Sequence, residues 1–375
     1  MRIVYFTHSL RSCWNHGNAH FLRGVLRELV VRGHDVRVYE PADAWSLRSL
    51  LADHGDAGLD AFARAYPELS SSTFGPDADP TMLCDGADMV IVHEWNDPAL
   101  VAGIGRLRRS GDFLLLFHDT HHRAVTDPAA IEAFDLEDYD GILAFGEALS
   151  EVYRGWGWRG RVWTWHEAAD LRLFRPPEQE TARHGLVWIG NWGDGERTKE
   201  IERYLLAPAL AARLTLDVHG VRYPAEALAL LSRHRAAYRG WLPNARAPEV
   251  FAGHLATVHV PRRAYAERLP GIPTIRVFEA LACGIPLVSA PWCDSEGLFR
   301  PGDDFLVGRD GAEMERHLGA LQRDPELRAS LAANGLETVR ARHSCAHRVD
   351  ELMTIMRTLR PAQQATETSD VERAG

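Results

Sequence analysis

The chain has 375 residues, of which 46% are hydrophobic and 25% charged, as in a typical soluble globular protein and unlike a disordered or collagenous chain. This length predicts two domains. The chain contains 42 Lys and Arg against 52 Asp and Glu, a net charge of −10, which argues against a surface built to bind nucleic acid.

Cysteine usage and hydropathy bear on the cellular compartment. The five cysteines are widely spaced and form no C-x-x-C pair, which argues against a disulfide framework and against a zinc finger. The N-terminal apolar run is too short for a signal peptide, and no later run approaches the roughly 18 residues needed to cross a bilayer. We therefore expect a cytoplasmic protein with no integral membrane segment.

The first half of the chain alternates strand and helix patterns. A strand over residues 2–6, a loop from Thr7 to Gly17 and apolar residues at helical spacing from Phe21 to Val30 predict a strand, loop and helix unit. Weaker helices are predicted over residues 45–66, followed by a loop over 70–80. The other predicted elements of this half are strands at 35–39, 89–92, 113–117, 142–145 and 161–163, and a helix at 98–109.

The second half repeats this alternation after a polar, proline-containing stretch. Strands are predicted at 186–189, 214–218, 256–260, 286–288 and 305–307, and helices at 224–236, 274–283, 312–321, 325–340 and 345–359. We predict an α/β fold of two doubly wound Rossmann-like domains facing a cleft. The predicted divisions are a first domain (1–165), a linker (166–184), a second domain (185–342), a closing helix (343–360) and a disordered tail (361–375).

Polar loops follow several predicted strands, at the end where α/β folds bind ligands. Gly17 lies at a helix N-terminus, where free N–H groups favour an anion such as a diphosphate. His118 and Asp119 follow a buried strand and can hold a sugar hydroxyl or take a proton. The loop from Gly190 to Lys199 includes Arg197, a plausible partner for a diphosphate. Further site candidates are His16, His93 and His121.

The sequence motifs argue against a bound metal ion and against a dinucleotide cofactor. His118, His121 and His122 with Asp119 could bind a metal, but their spacing matches no metal motif, so we predict no metal site. A G-x-G-x-x-G fingerprint after a strand is also absent, which argues against a dinucleotide cofactor.

The segment from Leu269 to Ser289 carries the most information. It predicts a helix that begins after Pro273 and ends at Gly284, with an apolar buried side and one carboxylate, Glu279. Burying a carboxylate requires partners. A pair of ribose hydroxyls is one possible partner, and a neighbouring loop capped by Glu279 is the structural alternative.

With these residues in view, the chain resembles group-1 (family 4 type) GT-B glycosyltransferases. Its F-E-A-L-A-C-G-I-P-L-V-S segment is similar to the signature of their second domain. Three more stretches fall in the family's order: Gly33-His-Asp-Val-Arg-Val, the loops beginning at His93 and His118, and the linker from Ala168 to Pro176. The sequences around Gly190 and Gly271 resemble those of the spore-maturation-protein-like branch of this family.

The resemblance implies a metal-independent transfer from a nucleotide-diphosphate sugar, with retention of configuration, and no other cofactor. It also implies that the first domain is the acceptor side and that the second domain binds the nucleotide sugar. By that resemblance Glu279 would hold the donor ribose, Arg197 and Lys199 the diphosphate, and His118 and Asp119 would act near the reacting sugar. The full set of expected donor-binding residues is Gly17, Asn191, Arg197, Lys199, Arg276 and Glu279.

One position departs from the family pattern. Gly271 stands eight residues before Glu279, where the family often has a first glutamate, and Glu267 is out of register by four. Donor identity, anomeric outcome and turnover therefore stay open, and the acceptor can be a small molecule, a glycan or a protein. Two alternatives remain: another GT-B enzyme, such as a nucleotide-sugar epimerase or a phosphorylase, or a non-catalytic relic that binds a nucleotide sugar.

Overall fold

The computed structural model describes residues 1–179 and 182–373. Its first sheet has seven parallel strands in the order β3-β2-β1-β4-β5-β6-β7. These strands are β1 (Arg2–Phe6), β2 (Asp35–Pro41), β3 (Ser72–Phe74), β4 (Met89–His93), β5 (Leu114–Asp119), β6 (Gly141–Ala144) and β7 (Arg161–Thr164).

Helices cover both faces of this sheet. They are α1 (Asn18–Val31), α2 (Trp45–His54), α3 (Asp56–Ala65), α4 (Pro80–Leu83), α5 (Pro98–Arg108), α6 (Arg123–Thr126), α7 (Pro128–Glu132) and α8 (Glu147–Gly155). Helix α5 begins as the sequence predicts, because Pro98 fixes its first turn and the Asp97 carboxylate accepts a hydrogen bond from Ala99 N at 2.8 Å.

The second sheet has six parallel strands in the order β10-β9-β8-β11-β12-β13. They are β8 (Leu186–Ile189), β9 (Leu216–His219), β10 (Ala236–Gly240), β11 (Ala256–His259), β12 (Leu287–Ser289) and β13 (Leu306–Val307). The helices are α9 (Thr198–Ile201), α10 (Ala207–Ala211), α11 (Ala225–Arg233), α12 (Ala247–Ala252), α13 (Arg263–Glu267), α14 (Ile275–Ala282), α15 (Gly311–Arg323), α16 (Pro325–Arg342) and α17 (Cys345–Arg373). The predicted pair of doubly wound α/β domains is confirmed.

Strand alternation explains why the central strands read as continuous apolar runs. In β1, Ile3 and Tyr5 pack into the core on one face of the sheet, whereas Val4 and Phe6 pack into the core on the other. A parallel sheet covered by helices on both faces buries every side chain of such a strand.

The chain returns to the first domain at its end. Helix α17 contributes Val349 and Leu352 to the core beside α1, and the indole N–H of Trp165 donates to Arg348 O at 2.9 Å. Helix α17 also extends beyond residue 360, into the segment that we predicted as a disordered tail. Ala, Gln and Glu favour a helix even where no apolar stripe marks one. The predicted tail also includes residues 374 and 375, which lie outside the described residues.

Two edge strands were missed. Strand β3 lies inside the segment predicted as a loop over 70–80, and β10 begins where a helix was predicted to end. Both lie at a sheet edge, where one neighbour is absent. Their sequences, Ser-Thr-Phe and Ala-Ala-Tyr-Arg-Gly, therefore lack the apolar run that marks a buried strand.

Candidate functional site

A cavity of about 280 Å³ lies between the two domains, at the carboxyl ends of both sheets. The first domain contributes the loop after β1 and the residues that follow β4 and β5. The second domain contributes the loops after β8, β9 and β11, and the start of α14. This is the crevice where doubly wound sheets bind ligands, so we call it the interdomain cleft.

The wall of the interdomain cleft is cationic although the whole chain is acidic. Four arginines line it: Arg197, Arg222, Arg262 and Arg276. Arg262 is paired with Asp194 and Glu196, and Arg276 with Glu279, whereas Arg197 and Arg222 make no ion pair with any residue that the structure describes.

Arg197 is held rigidly in this wall. Its guanidinium donates to Val260 O at 2.6 Å and to Asn191 O at 2.8 Å, and it stacks 5.5 Å from the ring of Trp188. The Nε of Arg197 has no partner among the described residues. Burial lowers the pKa of Arg197 to about 10, which leaves the side chain charged at neutral pH. It can therefore offer a fixed positive charge and one free donor to an anion.

Helix α1 points its N-terminus into the cleft at Gly17. No side chain caps this end, so the first N–H groups of the helix are available to a ligand. A Cβ at Gly17 would meet only Ile275 Cγ2, at 3.9 Å, so the space above Gly17 belongs to the cleft. The structure therefore places Gly17 where the sequence predicts an anion.

Asn191 joins the two domains across the cleft. Its Nδ2 donates to Asn15 Oδ1 at 2.8 Å, and its Oδ1 accepts from Val221 N at 2.9 Å. Asn15 adopts a left-handed backbone conformation, with φ of 49°. The Asn191 side chain thus lines the cleft as predicted, but its amide is already used in holding the domains together.

Two of the predicted histidines reach the cleft with unused ring nitrogens. His16 and His121 both line it, and His16 Nε2 and His121 Nδ1 have no hydrogen-bond partner among the described residues. Burial lowers the pKa of both rings well below the ordinary value, so both are neutral near pH 7. Asn18 Oδ1 is a third buried acceptor in this wall without a partner.

The structure does not bring His118 to the cleft wall, contrary to its predicted position near the reacting sugar. Its ring lies in the core against Phe21 and Trp165, where Nδ1 contacts the hydroxyl of Tyr5. Burial lowers the pKa of His118 to about 3. Strand β5 continues through Asp119, so the alternation of the strand turns His118 into the core and the cleft begins only at Thr120.

Asp119 and His93 also lie behind the wall. Asp119 accepts from the hydroxyl of Tyr153 at 2.7 Å and from His121 N at 3.0 Å, and burial raises its pKa to about 6. His93 Nε2 lies 2.9 Å from both Asn18 Nδ2 and Thr120 Oγ1. These contacts make Asp119 and His93 supports for cleft residues.

Glu279 lies on α14 as predicted, but its carboxylate faces protein partners. Asn244 Nδ2 donates to it at 2.9 Å, Arg276 Nη1 at 2.5 Å, and His20 Nδ1 lies 3.3 Å away. Burial raises the pKa of Glu279, but Arg276 and His20 outweigh burial, so the net pKa is below the ordinary value. His20 and Arg276 line the cleft and Glu279 does not, which favours the structural reading of Glu279.

Lys199 is exposed and does not line the cleft, contrary to the prediction that it binds the diphosphate. It is the second residue of the short helix α9, which directly follows Arg197, and Arg197 does line the cleft. Arg222 and Arg262 line the wall instead, and neither was a predicted site residue.

The backbone conformation and the close packing around Gly271 admit only glycine. It has φ of 86°, and a Cβ there would lie 2.7 Å from Ser295 Oγ and 2.8 Å from Glu296 Oε1. The left-handed backbone and the lack of space both exclude a glutamate at this position. Glu267 gives no substitute in this structure, because its side chain is largely exposed and lies outside the cleft.

A different carboxyl, Glu167 of the interdomain linker, reaches the cleft. It is the only Asp or Glu in the cleft wall among the described residues, and it is buried. Burial, with the negative charge of Glu279, raises the pKa of Glu167 to about 8. The linker stretch that resembles the family begins one residue later, at Ala168, so Glu167 was not among the predicted site residues. Its signal in the sequence is a charged residue directly before two alanines.

In the described ranges, 1–179 and 182–373, no group of three or more His, Cys, Asp or Glu is arranged to hold a metal ion. None of their helices is both long enough and apolar enough to span a membrane.

Residues 197–354 match a family model described as glycosyl transferase-like. A comparison with curated protein sequences finds no significant match. Similar solved structures include a sucrose-phosphate synthase from Thermosynechococcus elongatus, with 15% identity, a TM-score of 0.65, and coverage of 96% of this chain and 100% of the other. Anabaena HepE in complex with UDP and glucose has 14% identity, a TM-score of 0.66 and the same coverage.

A third similar structure is an alpha-glucosyltransferase in complex with UDP and a 13-mer DNA. Its identity is 12% and its TM-score 0.65, over 95% of this chain and 99% of the other. At such identities the likeness is one of fold. The chain therefore has the GT-B fold of these structures, and its residues 197–354 are similar to a glycosyl transferase-like family.

Proposed function

We propose that this protein is a glycosyltransferase that binds a nucleotide-diphosphate sugar in the interdomain cleft. The observation that carries the proposal is the charge of the cleft. Four guanidinium groups line it, and two of them, Arg197 and Arg222, make no ion pair among the described residues. The one carboxyl that the described residues bring to the wall, that of Glu167, has a pKa raised to about 8 and is therefore neutral at pH 7. A diphosphate fits a cationic site inside an acidic protein, and solved structures of the same fold hold UDP.

The proposed reaction breaks the bond between the anomeric carbon and the diphosphate and forms a bond to the oxygen of an acceptor hydroxyl, whose proton passes to the departing diphosphate. The departing diphosphate gains negative charge, which Arg197, Arg222 and the N-terminus of α1 at Gly17 are placed to stabilise. Guanidinium groups and helix N–H donors can do this without a metal ion, so we propose metal-independent transfer. Retention of configuration is proposed on the family resemblance alone.

The neutral groups of the cleft suit the sugar. His16 Nε2, His121 Nδ1 and Asn18 Oδ1 are buried and lack partners among the described residues, so sugar hydroxyls can satisfy them. Glu167, protonated at neutral pH, can donate a hydrogen bond where an ionised carboxylate would repel the diphosphate. We therefore propose Glu167 as the carboxyl that serves the donor in place of the missing glutamate at Gly271.

We also propose a cytoplasmic location and a partner other than nucleic acid. All five cysteines are free, which supports a reducing, cytoplasmic compartment. The net charge of −10 supports a partner other than nucleic acid.

A thermal-shift series with UDP, GDP, ADP, CDP and dTDP tests the proposal. At 100 times its dissociation constant, the correct nucleotide should stabilise the protein by about 2.7 kcal/mol. Arg197→Ala and Arg222→Ala should weaken binding about tenfold to a hundredfold, because each removes a charge-assisted contact worth about 1.5–3 kcal/mol.

Lys199→Ala is the matched control, since Lys199 is a cation of the same region that does not line the cleft. It should bind the nucleotide as the unmodified protein does. If no nucleotide stabilises the protein, or if Lys199→Ala weakens binding as much as Arg222→Ala does, the proposed donor site is wrong.

A further inference from the structure

The thiol of Cys13 lies in the interdomain cleft, and the proposed transfer does not use it. Cys13 lines the cleft wall and is half-buried, so a small molecule in the cleft can reach its sulfur. The other four cysteines do not line the cleft. The backbone N–H of Asn244, in the second domain, donates to the sulfur of Cys13. Cys13 therefore lies where the two domains meet.

Two basic residues of α1 favour the ionised form of this thiol. Arg23 is buried, and its guanidinium is fixed because it donates to Leu10 O at 2.8 Å and to Arg11 O at 3.0 Å. His20 is also buried and hydrogen-bonds to the thiol. Burial alone would raise the pKa of Cys13, but Arg23 and His20 outweigh burial and lower that pKa to about 6. Cys13 is therefore a thiolate at neutral pH.

The carboxylate on the other side of His20 favours its protonated form. The Nδ1 atom of His20 lies 3.3 Å from Glu279 Oε1. Burial and the charge of Arg276 lower the pKa of His20. Glu279 and the Cys13 thiolate outweigh them, so this pKa is above its ordinary value. Tyr66 also faces the thiol, and burial raises the pKa of its hydroxyl, which stays neutral. Cys13 and His20 thus form a thiolate–imidazolium pair.

The cleft also has a buried, unused polar group on the loop that carries Cys13. His16 belongs to the same turn, since its N–H donates to Cys13 O at 3.4 Å. Its Nε2 atom is buried and has no hydrogen-bond partner among the described residues. Burial lowers the pKa of His16, so its neutral ring can hold a small polar molecule in the cleft. Glu167 of the same wall has a pKa raised to about 8, so it is neutral at pH 7 and does not oppose the thiolate.

We propose that Cys13 is a modification site, at which hydrogen peroxide in the cleft oxidises the thiol to a sulfenic acid. The thiolate sulfur attacks one oxygen of the peroxide, so an S–O bond forms and the O–O bond breaks. The departing hydroxide takes the proton of the His20 imidazolium and leaves as water. The sulfur is oxidised and the peroxide is reduced, and an added thiol reverses the modification.

Oxidation should weaken ligand binding, because Cys13 shares the cleft with the proposed donor site. The sulfenic oxygen enlarges a side chain that contacts Asn244 across the domain boundary. Cys13 also lies four residues before Gly17, where the N-terminus of α1 is placed to hold the diphosphate. This effect rests on the proposed function, since the nucleotide diphosphate is the ligand that the oxidised cleft would exclude.

The rate at which hydrogen peroxide oxidises the purified full-length protein tests the proposal. Dimedone traps the sulfenic acid, and mass spectrometry of peptides identifies the labelled cysteine. At pH 7 a thiol with a pKa of about 6 is about 90% ionised, against about 1% at the ordinary 9.0, while its nucleophilicity is lower by about 16- to 32-fold. Cys13 should therefore react about threefold to sixfold faster than the free thiol N-acetylcysteine.

The pH profile of the unmodified protein tests the thiolate directly. The rate at Cys13 should not rise further once the pH exceeds about 7, because the thiol is then already ionised. A Cys13 that forms no dimedone adduct would overturn the proposal. So would a rate that keeps rising through pH 9, as the rate of a free thiol does.

His20→Gln tests the proton donor. Glutamine keeps a hydrogen-bond donor but carries no charge, so oxidation of Cys13 at pH 7 should slow about threefold to tenfold. Exposed Cys293 is the internal control, and its rate should be the same in the variant. His317→Gln is the matched control, because His317 lies on α15 and does not line the cleft. An unchanged rate at Cys13 in His20→Gln, or an equal loss in His317→Gln, would overturn the role of His20. If His20→Gln does not fold, the pH profile still decides whether Cys13 is a thiolate.

The nucleotide thermal shift, repeated after peroxide treatment, tests the effect on the cleft. The nucleotide that stabilises the reduced protein should bind at least about threefold more weakly after oxidation, and dithiothreitol should restore its affinity. Cys13→Ser should show no effect of peroxide on nucleotide binding. Unchanged affinity in a protein labelled at Cys13 would overturn the effect on the cleft.

The same samples keep the two proposals apart. Oxidation of Cys13 without any nucleotide shift would contradict the proposed function and leave the modification site standing. A nucleotide shift in a protein whose Cys13 is not oxidised would contradict only the inference about Cys13.

Discussion

Replacing Glu167 by glutamine should stabilise the protein at neutral pH and leave its stability unchanged near pH 4. Burial, with the nearby charge of Glu279, raises the pKa of Glu167 to about 8 from an ordinary 4.5, while His20 and Arg276 act in the opposite direction. In the unfolded chain the carboxyl ionises near 4.5. Folding between these two pH values therefore takes up a proton, and the stability of the unmodified protein falls as the pH rises.

The size of the effect follows from the two pKa values. Each pH unit above 4.5 costs the unmodified protein about 1.4 kcal/mol relative to Glu167→Gln, until Glu167 ionises in the folded state. The difference in the free energy of unfolding should therefore be close to zero at pH 4, about 3 kcal/mol at pH 7, and about 5 kcal/mol from pH 8 upward. Glutamine has the shape of a protonated glutamate, so the variant should keep its nucleotide binding.

Urea unfolding of both proteins at several values between pH 4 and pH 9 measures this difference. Glu178→Gln is the control, since Glu178 lies in the same linker with its side chain 79% exposed, and it should show a small difference that does not grow with pH. If the gap between Glu167→Gln and the unmodified protein is the same at pH 5 and pH 8, Glu167 is not a buried neutral carboxyl, and its proposed role fails.

Three further predictions concern packing, backbone and charge. Gly24→Ala should lower the free energy of unfolding by about 1–3 kcal/mol, because its Cβ would collide with Cys345 of α17. Gly155→Ala is the control and should not, since the space around Gly155 is open. Equal melting curves for the two variants would contradict the docking of α17 on α1. Gly271→Glu should destabilise the protein and should not raise its transfer activity, because φ is 86° and the space is filled. A stable and more active variant would show that the loop is adaptable. Glu279→Gln should lower the pKa of His20, because the Glu279 carboxylate raises that pKa above its ordinary value although burial lowers it. An unchanged titration of His20, followed by NMR, would contradict their pairing.

Local chemistry in the sequence determined most of the fold. Buried strands such as β1 read as apolar runs, and the cap at Asp97 with Pro98 marked the start of α5. Repetition of strand and helix then predicts parallel sheets, because parallel neighbours need crossover helices. The same logic placed Gly17 and Arg197 in loops at the carboxyl ends of strands, and both line the cleft.

The tertiary structure alone decided which polar groups reach the cleft. His118 turns into the core because strand β5 continues one residue past it, and the sequence does not show where a strand ends to within one residue. Glu279 is satisfied by Asn244 and His20, which are far from it in sequence, while Glu167 is carried to the cleft by the path of the linker. Local spacing can predict that a carboxylate needs partners, but partners that belong to different domains become neighbours only when the chain folds.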